Sequence, residues 1–414
     1  MENKKPFNIS RELVFEAYKK VKANKGAAGI DSQSLEEFEA RLEDNLYKLW
    51  NRMASGSYFP SPVRAVEIPK RSGGKRLLGV PTVADRIAQA AVVMVIEPNI
   101  DKYFHKDSYG YRPHKQALDG VAVTRQRCWE YEWLIEYDIK GLFDNINHEK
   151  LMKAARGHVH EAWILLYIER WLKTPIRYKD GTQKERVRGT PQGGVISPLL
   201  SNLFLHYAID EWMARKHPQA VWARYADDGI IHCKTKEEAE VLMACLAQRL
   251  EECDLEIHPD KTKIVYCGKR EIGANRLFTF LGYTFHARKA CSKKTGEIFT
   301  GFLPAISKER QKEIRREIRR DNIRARSDLS LQQIAEWYNP KIRGWYNYFG
   351  KFYPSMLNKI WKYFNKALVL WAKSKYKNIR TSNRKAIALI QQVQGSCNNL
   401  FFHWKLKQGK AIYV

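Results

Sequence analysis

Hydrophobic and polar residues follow two different periods along this chain. At 11–22 and 34–53, apolar residues recur every three to four positions, which predicts helices near the N-terminus. Shorter apolar runs at 63–68 and 75–80 flank a stretch with two glycines at 73–74, which predicts a β-hairpin with a flexible turn. The chain therefore begins with helices and continues into a region that also contains strands.

The middle of the chain mixes strands with helices, whereas its end is helical. Between 133 and 266, short alternating runs separate longer segments of helical period. Helices are predicted at 83–96, 148–173, 197–216 and 235–252. Residues 278–285 predict a further pair of strands, after which the pattern predicts helices to the end. This order predicts an α+β fold with an antiparallel sheet, followed by an all-α domain.

Two adjacent acids lie between two apolar runs. Asp227 and Asp228 follow residues 221–224 and precede residues 229–232, which predicts a hairpin that presents both carboxylates at its turn. Adjacent carboxylates repel each other, so such a turn favours a bound cation. Asp138 ends another alternating run, and the three acids together predict an oxygen-rich site for Mg²⁺. Two such ions about 3.5–4 Å apart would suit an in-line phosphoryl transfer.

These acids belong to an ordered series of motifs that resembles the reverse transcriptases. Asp138 with Phe143, then 190–194, then 225–228 resemble motifs A, B and C of that family. The other matching segments are 68–81 and 108–113 in the fingers, 259–263 in motif D, and 280–283 in the primer-grip hairpin, motif E. Residues 24–31 and 342–349 are similar to the N-terminal extension and the maturase (thumb, or X) domain of group II intron reverse transcriptases. The resemblance covers nearly the whole chain.

The resemblance implies a right-hand polymerase with a defined catalytic centre. Asp138, Asp227 and Asp228 would hold two Mg²⁺ ions, with Mn²⁺ as the expected substitute. Lys261 would be the general acid for the leaving pyrophosphate, with Lys263 as its rival. The residues expected to contact the incoming dNTP are Lys70, Arg76, Phe143, Gln192 and Ile139, of which Phe143 would exclude a ribose 2′-hydroxyl. The residues expected to contact template or primer are Gly193, Gly194, Tyr225, Leu281, Gly282, Arg343 and Trp345.

Four segments are expected from the resemblance. Residues 1–62 would form an N-terminal extension with a template-contacting loop, and 63–286 the fingers and palm. Residues 287–371 would form the thumb or maturase X domain, and 372–414 a basic segment in which a vestigial DNA-binding domain is possible. The sequence matches a compact bacterial class without an endonuclease domain.

The charge of the chain predicts a polyanionic partner. Its net charge is +27 over 414 residues, and from residue 286 onward 28 Lys and Arg accompany 7 Asp and Glu. No acid follows Glu336. Such a basic surface predicts strong, salt-dependent binding of nucleic acid. The expected partners are an intron RNA, an RNA template with a DNA or RNA primer, dNTPs and target DNA.

Cysteine spacing and hydropathy limit the remaining classes. The seven cysteines contain no Cys-x-x-Cys pair, which disfavours a zinc site or a disulfide framework and favours a reducing cytoplasm. The chain contains no apolar run of 18 residues, so the sequence predicts no membrane helix. A bacterial, cytoplasmic protein is therefore expected, and the sequence does not decide between a monomer and a dimer.

Three functions agree with these residues. The first is a reverse transcriptase that also serves its intron as a maturase in splicing and mobility. The second is a domesticated relative in DNA repair or in phage or CRISPR defence. The third is an RNA-folding cofactor whose polymerase activity is dispensable. Ala226, within the Tyr-Ala-Asp-Asp sequence, matches the pattern of mobile introns and favours the first.

Overall fold

The computed structural model describes residues 5–69, 73–268, 275–291 and 295–406, and the chain forms two compact units. The first unit contains Met1–Gly120 and Leu134–Ile264, and the second contains Val121–Trp133 and Val265–Val414. The predicted borders at 62, 286 and 371 stay predictions. No helix in the described ranges is long and apolar enough to cross a bilayer.

The helices and strands follow one another closely along the chain. The helices are α1 Arg11–Asn24, α2 Leu35–Glu39, α3 Leu42–Ser55, α4 Val83–Ile100, α5 Ala117–Arg127, α6 Leu142–Asn145, α7 His148–Arg156, α8 Ala162–Lys173, α9 Ser197–Leu205, α10 Glu211–Lys216, α11 Lys236–Glu252, α12 Lys308–Arg320, α13 Leu331–Phe349, α14 Asn358–Lys375 and α15 Asn383–Ser396. The strands are β1 Val63–Pro69, β2 Lys75–Val80, β3 Trp133–Asp138, β4 Ile176–Arg177, β5 Gln183–Lys184, β6 Val221–Tyr225, β7 Asp228–Cys233, β8 Lys263–Tyr266, β9 Phe278–Phe280, β10 Tyr283–Cys291 and β11 Ile298–Ile306.

The first unit begins with helices that end in well-defined caps. Ser10 accepts a hydrogen bond from the main-chain N–H of Leu13 and so caps α1. Ser34 and Glu37 form a reciprocal capping box at the start of α2. The helix predicted at 34–53 is divided, because Arg41 has φ of −132° and ψ of 47°, outside the helical range.

Two sheets of the first unit carry the segments that resemble fingers and palm. β1 and β2 form the predicted antiparallel hairpin, in a sheet of order β2-β1-β4-β5. The other sheet has the order β6-β7-β3-β8, with the hairpin β6–β7 beside the strand that ends in Asp138. Buried and exposed residues do not alternate along β3. Five of its six residues are buried, and the adjacent Leu134 and Ile135 are both fully buried. Such burial on both faces places β3 in the interior of its sheet.

The second unit has a three-stranded sheet and a group of helices. β9, β10 and β11 form a sheet of order β11-β10-β9, in which the rings of Phe278, Phe285 and Phe302 stack. Tyr338, Phe349, Trp361 and Phe364 are buried among the helices. These aromatic residues form core rather than a free surface. The mixed α+β fold followed by a helical C-terminal region is as predicted.

The prediction that the chain turns helical directly after 285 is wrong. β10 continues to Cys291, and β11 returns antiparallel to it over nine paired positions. Phe302, Leu303, Ala305 and Ile306 are buried, so this pairing gains a hydrophobic face. Helices begin only at Lys308, where Ser307 caps α12.

A buried histidine in the second unit predicts loss of stability in acid. His403 is fully buried, its Nε2 lies 2.9 Å from Asn365 Oδ1, and burial lowers its pKa from 6.5 to about 3. Because the unfolded chain takes up this proton more readily, stability is complete above pH 6.5 and falls as the pH drops below it. We expect the free energy of unfolding to decrease by about 2 kcal/mol between pH 6.5 and about pH 5 from this residue.

Urea unfolding of the parent and of His403→Gln at these two pH values measures the effect. Glutamine keeps a polar group near Asn365 but has no proton to gain, so the variant should show a smaller decrease. An equal decrease in both proteins would exclude His403 as its source.

Candidate active site

The two adjacent aspartates stand at the tip of the hairpin β6–β7. Tyr225 lies opposite Asp228, which leaves Ala226 and Asp227 as a two-residue turn. Ala226 has φ of 55°, a left-handed conformation that costs a residue with a side chain about 1 kcal/mol. The main-chain N–H of Ile139 donates to the Asp227 carbonyl oxygen at 3.2 Å. The end of β3 is thereby joined to the tip of the hairpin.

Three carboxylates meet at this junction. Asp138 is 8% exposed, and its carboxyl group shares a hydrogen bond with that of Asp228. The pKa of Asp228 is raised well above its ordinary value, first by burial and then by the negative charges of Asp227 and Asp138. Burial and the charge of Asp138 also raise the pKa of Asp227. The structure therefore brings together the three acids that the sequence singled out, at the cost of mutual repulsion.

Two cations oppose this concentration of negative charge. Lys261 Nζ lies 2.8 Å from Asp138 Oδ2, and the Lys261 side chain is 51% exposed. Arg76, on the exposed strand β2, and Lys261 both act to lower the pKa of Asp227. Lys263, by contrast, pairs with Glu136 at 3.2 Å. Of the two lysines considered for the leaving group, Lys261 is the one that touches a site aspartate.

The chemistry of the three carboxylates, rather than their present arrangement, suits a divalent cation. In the described parts of the chain, no three His, Cys, Asp or Glu side chains stand in a ready metal-ligand arrangement. The contacts of Asp138 with Asp228 and with Lys261 hold the carboxylates in another pattern. Carboxylate oxygens are nevertheless the ligands that Mg²⁺ prefers, and it commonly completes its shell with waters and substrate phosphates. A buried carboxylate cluster with raised pKa values gains stability from such an ion.

Two glycines enclose the hairpin that carries the aspartates. A Cβ atom on Gly110 would lie 2.6 Å from the main-chain nitrogen of Ala226, and one on Gly229 would lie 2.2 Å from the ring of Tyr137. Neither position has space for a side chain. The backbone of the hairpin is therefore in close contact with its neighbours on both sides.

The expected sugar gate and the motif B loop are linked by hydrogen bonds. Phe143 is half-buried at the start of α6, and its carbonyl oxygen accepts from the Thr190 N–H at 2.7 Å. Gln192 Nε2 donates to Asp144 Oδ2 at 3.0 Å. Gly189 adopts φ of 80° and passes so close to the Phe143 and Asp144 carbonyls that a Cβ there would lie 2.7 Å from each. Phe143 and Gln192 are thus held in one local structure.

The two glycines of motif B are in close contact with other parts of the protein. Gly193 has φ of 124°, and a Cβ there would lie 2.8 Å from the Gly79 carbonyl oxygen. A Cβ on Gly194 would lie 2.6 Å from the Ser197 hydroxyl. These contacts bring the motif B loop against the end of β2. Lys70 lies outside the described residues.

The remaining predicted residues belong to the second unit. Leu281 and Gly282 are the turn between β9 and β10, and both have positive φ, 53° and 80°, as a type I′ turn requires. The Leu281 carbonyl accepts from the Tyr348 hydroxyl at 2.9 Å. Arg343 is exposed on α13, and Trp345 is half-buried on the same helix. The predicted primer-grip segment is therefore a tight hairpin, and its contact with a primer stays a prediction.

Several residues of the site were not found from the sequence. Tyr111 is 52% exposed, has φ of 53°, and has its pKa raised by burial and by Asp227. Arg224, Asp210 and Asn202 form a buried polar cluster beneath the hairpin. The signal for Tyr111 was its place in the 108–113 motif, whereas no sequence pattern marks the cluster.

Two family models match the chain. The model of the reverse transcriptase (RNA-dependent DNA polymerase) matches residues 68–285, which is more than half of the chain, and that of the group II intron maturase-specific domain matches residues 311–388. These matches define an RNA-directed DNA polymerase, a class that generally uses divalent metals and acts on nucleic acids. The chain belongs to the group II intron reverse transcriptase/maturase family, as the motifs predicted.

The chain is also similar to several known proteins. The chain is 33% identical to Protein YkfC of Escherichia coli (strain K12) over 311 residues, which are 66% of this chain and 80% of that protein. It is 33% identical to the group II intron-encoded protein LtrA of Lactococcus lactis subsp. cremoris over 199 residues, which are 47% of this chain but 32% of LtrA. A solved structure of telomerase from Candida albicans aligns with a TM-score of 0.49 and 11% identity, over 88% of this chain and 66% of that one.

Proposed function

We propose that this chain copies RNA into DNA at Asp138, Asp227 and Asp228, and that it binds an intron RNA as a maturase. The observation that carries the first part is the meeting of these three carboxylates at one hairpin tip. Three neighbouring carboxylates repel one another, and a bound cation would compensate for that cost. The family membership supports the same reading.

The aspartates would hold two Mg²⁺ ions, with Mn²⁺ as a possible substitute. When bound, the ions would polarise the primer 3′-hydroxyl and neutralise the triphosphate and the leaving pyrophosphate. Asp138 supports one side of the site from β3, and Asp227 and Asp228 support the other from the hairpin. Because Ile139 N–H is bonded to the Asp227 carbonyl, the two sides keep a fixed distance.

Lys261 is proposed as the source of the proton for the leaving pyrophosphate. Its contact with Asp138 places an ammonium group at the site, and its half-exposed side chain would turn from Asp138 toward a departing anion. Arg76 and Lys70 would bind the triphosphate from the fingers hairpin, Arg76 through a bidentate contact. Gln192, held by Asp144, would touch the nucleotide. Ile139 has a buried side chain, so only its backbone could take part.

Phe143 is proposed to select deoxynucleotides. Its apolar ring offers no hydrogen-bond partner to a ribose 2′-hydroxyl and occupies the space that the hydroxyl needs. We expect Phe143→Ala to reduce the preference for dNTP over rNTP by roughly 10²-fold, because an apolar pocket discriminates against one added hydroxyl by about that factor. Single-nucleotide incorporation with paired dNTP and rNTP substrates measures the ratio of kcat/KM values.

The control for this prediction is Phe143→Tyr, which keeps the aromatic bulk and should keep the selectivity. If Phe143→Ala retained the full preference for dNTP, the sugar gate would have to be another residue.

Template, primer and intron RNA would use other parts of the chain. Gly193, Gly194 and Tyr225 would face template or primer in the first unit, and Leu281, Gly282, Arg343 and Trp345 in the second. The excess of positive charge after residue 286 supports RNA binding, splicing assistance and, with target DNA, mobility. The similarity to LtrA, a group II intron-encoded protein, supports the same role.

The alternatives make different predictions for one variant. Asp227→Ala with Asp228→Ala should abolish cDNA synthesis and leave RNA binding intact, because no carboxylate is needed for an electrostatic contact. Loss of splicing assistance together with cDNA synthesis would contradict two separable roles.

Sequencing of RNA that co-purifies at moderate salt tests the maturase role directly. One enriched structured intron would support it, whereas a random RNA population would count against it.

A further inference from the structure

A fully buried ion pair lies directly beneath the aspartate hairpin. Arg224, one residue before the Tyr-Ala-Asp-Asp sequence, and Asp210 both have completely buried side chains. Arg224 Nε and Nη2 donate to the two Asp210 carboxylate oxygens at 2.8 and 2.6 Å. Its remaining nitrogen, Nη1, donates to Asn202 Oδ1 at 3.3 Å and to the Ala226 carbonyl oxygen at 3.2 Å. One guanidinium therefore connects a helix to the tip of the hairpin.

The helix reaches this guanidinium through a π-helical turn. α9 continues through residues 206–210 into α10, and the Glu211 N–H bonds to the His206 carbonyl, five residues back. In an uninterrupted α-helix, Asn202 and Asp210 would point about 80° apart, since each residue advances about 100°. The extra residue of the π turn removes about one such step and brings the two side chains within about 20° of each other. Both can then face Arg224.

The same cluster also fixes the other side of the turn. Asn202 Nδ2 donates to the Gly110 carbonyl oxygen at 2.7 Å. Gly110 in turn lies against the Ala226 nitrogen, with no space for a Cβ between them. Ala226, in its left-handed conformation, is thus held through its carbonyl by Arg224 and through its nitrogen side by Gly110.

We propose that Arg224 is a positioning residue for Asp227 and Asp228. By binding the Ala226 carbonyl, Arg224 sets the direction in which the next two residues leave the turn. The π turn brings Asp210 and Asn202, the two partners of the guanidinium, to the same side of the helix. This inference rests on the proposed function of the aspartates. Asp210 and Asn202 take three of the five guanidinium N–H groups, and the Ala226 carbonyl takes a fourth, so the bond that satisfies this buried donor also reaches the turn.

Arg224→Lys tests the proposal. Lysine keeps one positive charge beside Asp210 but lacks the planar fork, so it cannot bind Asp210, Asn202 and Ala226 together. We expect the Mg²⁺ concentration for half-maximal cDNA synthesis to rise, or kcat to fall, by roughly 10–100-fold, as for other groups that orient metal ligands. The affinity for RNA should not change.

Leu49→Ala serves as a matched control for lost stability. Leu49 is buried in α3 of the same unit, a helix that packs against α1, α2 and α4. The control should lower the melting temperature while the Mg²⁺ dependence stays that of the parent. If Arg224→Lys showed the same behaviour as Leu49→Ala, the role of Arg224 would be structural only, and the proposal would be overturned.

Asn202→Ala provides a second test that leaves the ion pair in place. It removes one acceptor from Arg224 and the donor to Gly110, so a smaller shift of the Mg²⁺ dependence in the same direction is expected. Unchanged Mg²⁺ dependence and kcat in a folded Asn202→Ala would also overturn the proposal. Asp227→Asn distinguishes a failure of the proposed function from a failure of the positioning role. If Asp227→Asn remains active, the catalytic assignment fails. If Asp227→Asn is inactive but Arg224→Lys behaves like the parent, only the positioning role is refuted.

Discussion

Replacement of Asp227 by Asn is expected to lower kcat/KM for cDNA synthesis by at least about 10³-fold, because a lost metal ligand removes several kcal/mol of transition-state stabilisation. The substitution keeps the size of the side chain and removes its charge. It also relieves the repulsion that raises the pKa of Asp228, so the protein should be at least as stable as the parent. The loss of activity would then be chemical and not a result of unfolding.

Primer extension on an RNA template, with Mg²⁺ and dNTPs, measures this loss. Asp260→Asn is the matched control, since Asp260 is an exposed acid next to Lys261 in sequence and should keep nearly full activity. Binding of labelled RNA by Asp227→Asn should equal that of the parent. Extension by Asp227→Asn at the rate of the control would falsify the assignment of the catalytic centre.

Asp210→Ala is expected to give the largest loss of stability among the substitutions considered. Arg224 would remain in the interior with its charge unpaired, a change that typically costs about 3–5 kcal/mol. Chemical denaturation followed by circular dichroism measures the change in the free energy of unfolding. Glu211→Ala is the control, because this neighbouring acid is paired at the surface with Arg215 and such pairs contribute little.

The double variant Asp210→Leu with Arg224→Met separates the effect of an unpaired buried charge on stability from the effect of the lost Arg224 hydrogen bonds on activity. Because apolar residues of similar size replace both charges, most of the lost stability should return. Activity should remain low, since no group then binds the Ala226 carbonyl. A loss below about 1 kcal/mol for Asp210→Ala would mean that Arg224 has access to water or to another acid.

The sequence predicted the meeting of the three aspartates better than the residues that hold them in place. Asp138, Asp227 and Asp228 could be found because strand patterns and family motifs both mark short segments, and these segments carry their own geometry. The hairpins at β1–β2, β6–β7 and β9–β10 followed from the same local signals. The roles of the site residues stay predictions.

Other features depend on partners far apart in the chain. Arg224 sits in an apolar run, where a charged residue gives no sign of being buried against Asp210 in a different element. The π turn at 206–210 could not be predicted, because the hydrophobic pattern was compared only with the period of an α-helix. The strand β11 was missed because helix and strand periods are hard to separate where Gly301 and Pro304 interrupt the run.

The glycines at 110 and 229 limit how this enzyme can be redesigned. An engineer who wishes to retune fidelity or metal preference must leave both unchanged, because any larger residue would displace the polypeptide that carries the two acids. Variation is better directed to a position with space for other side chains, such as Tyr111, which is 52% exposed. Directed evolution of the polymerase is therefore limited next to the two acids by the packing of the backbone as well as by chemistry.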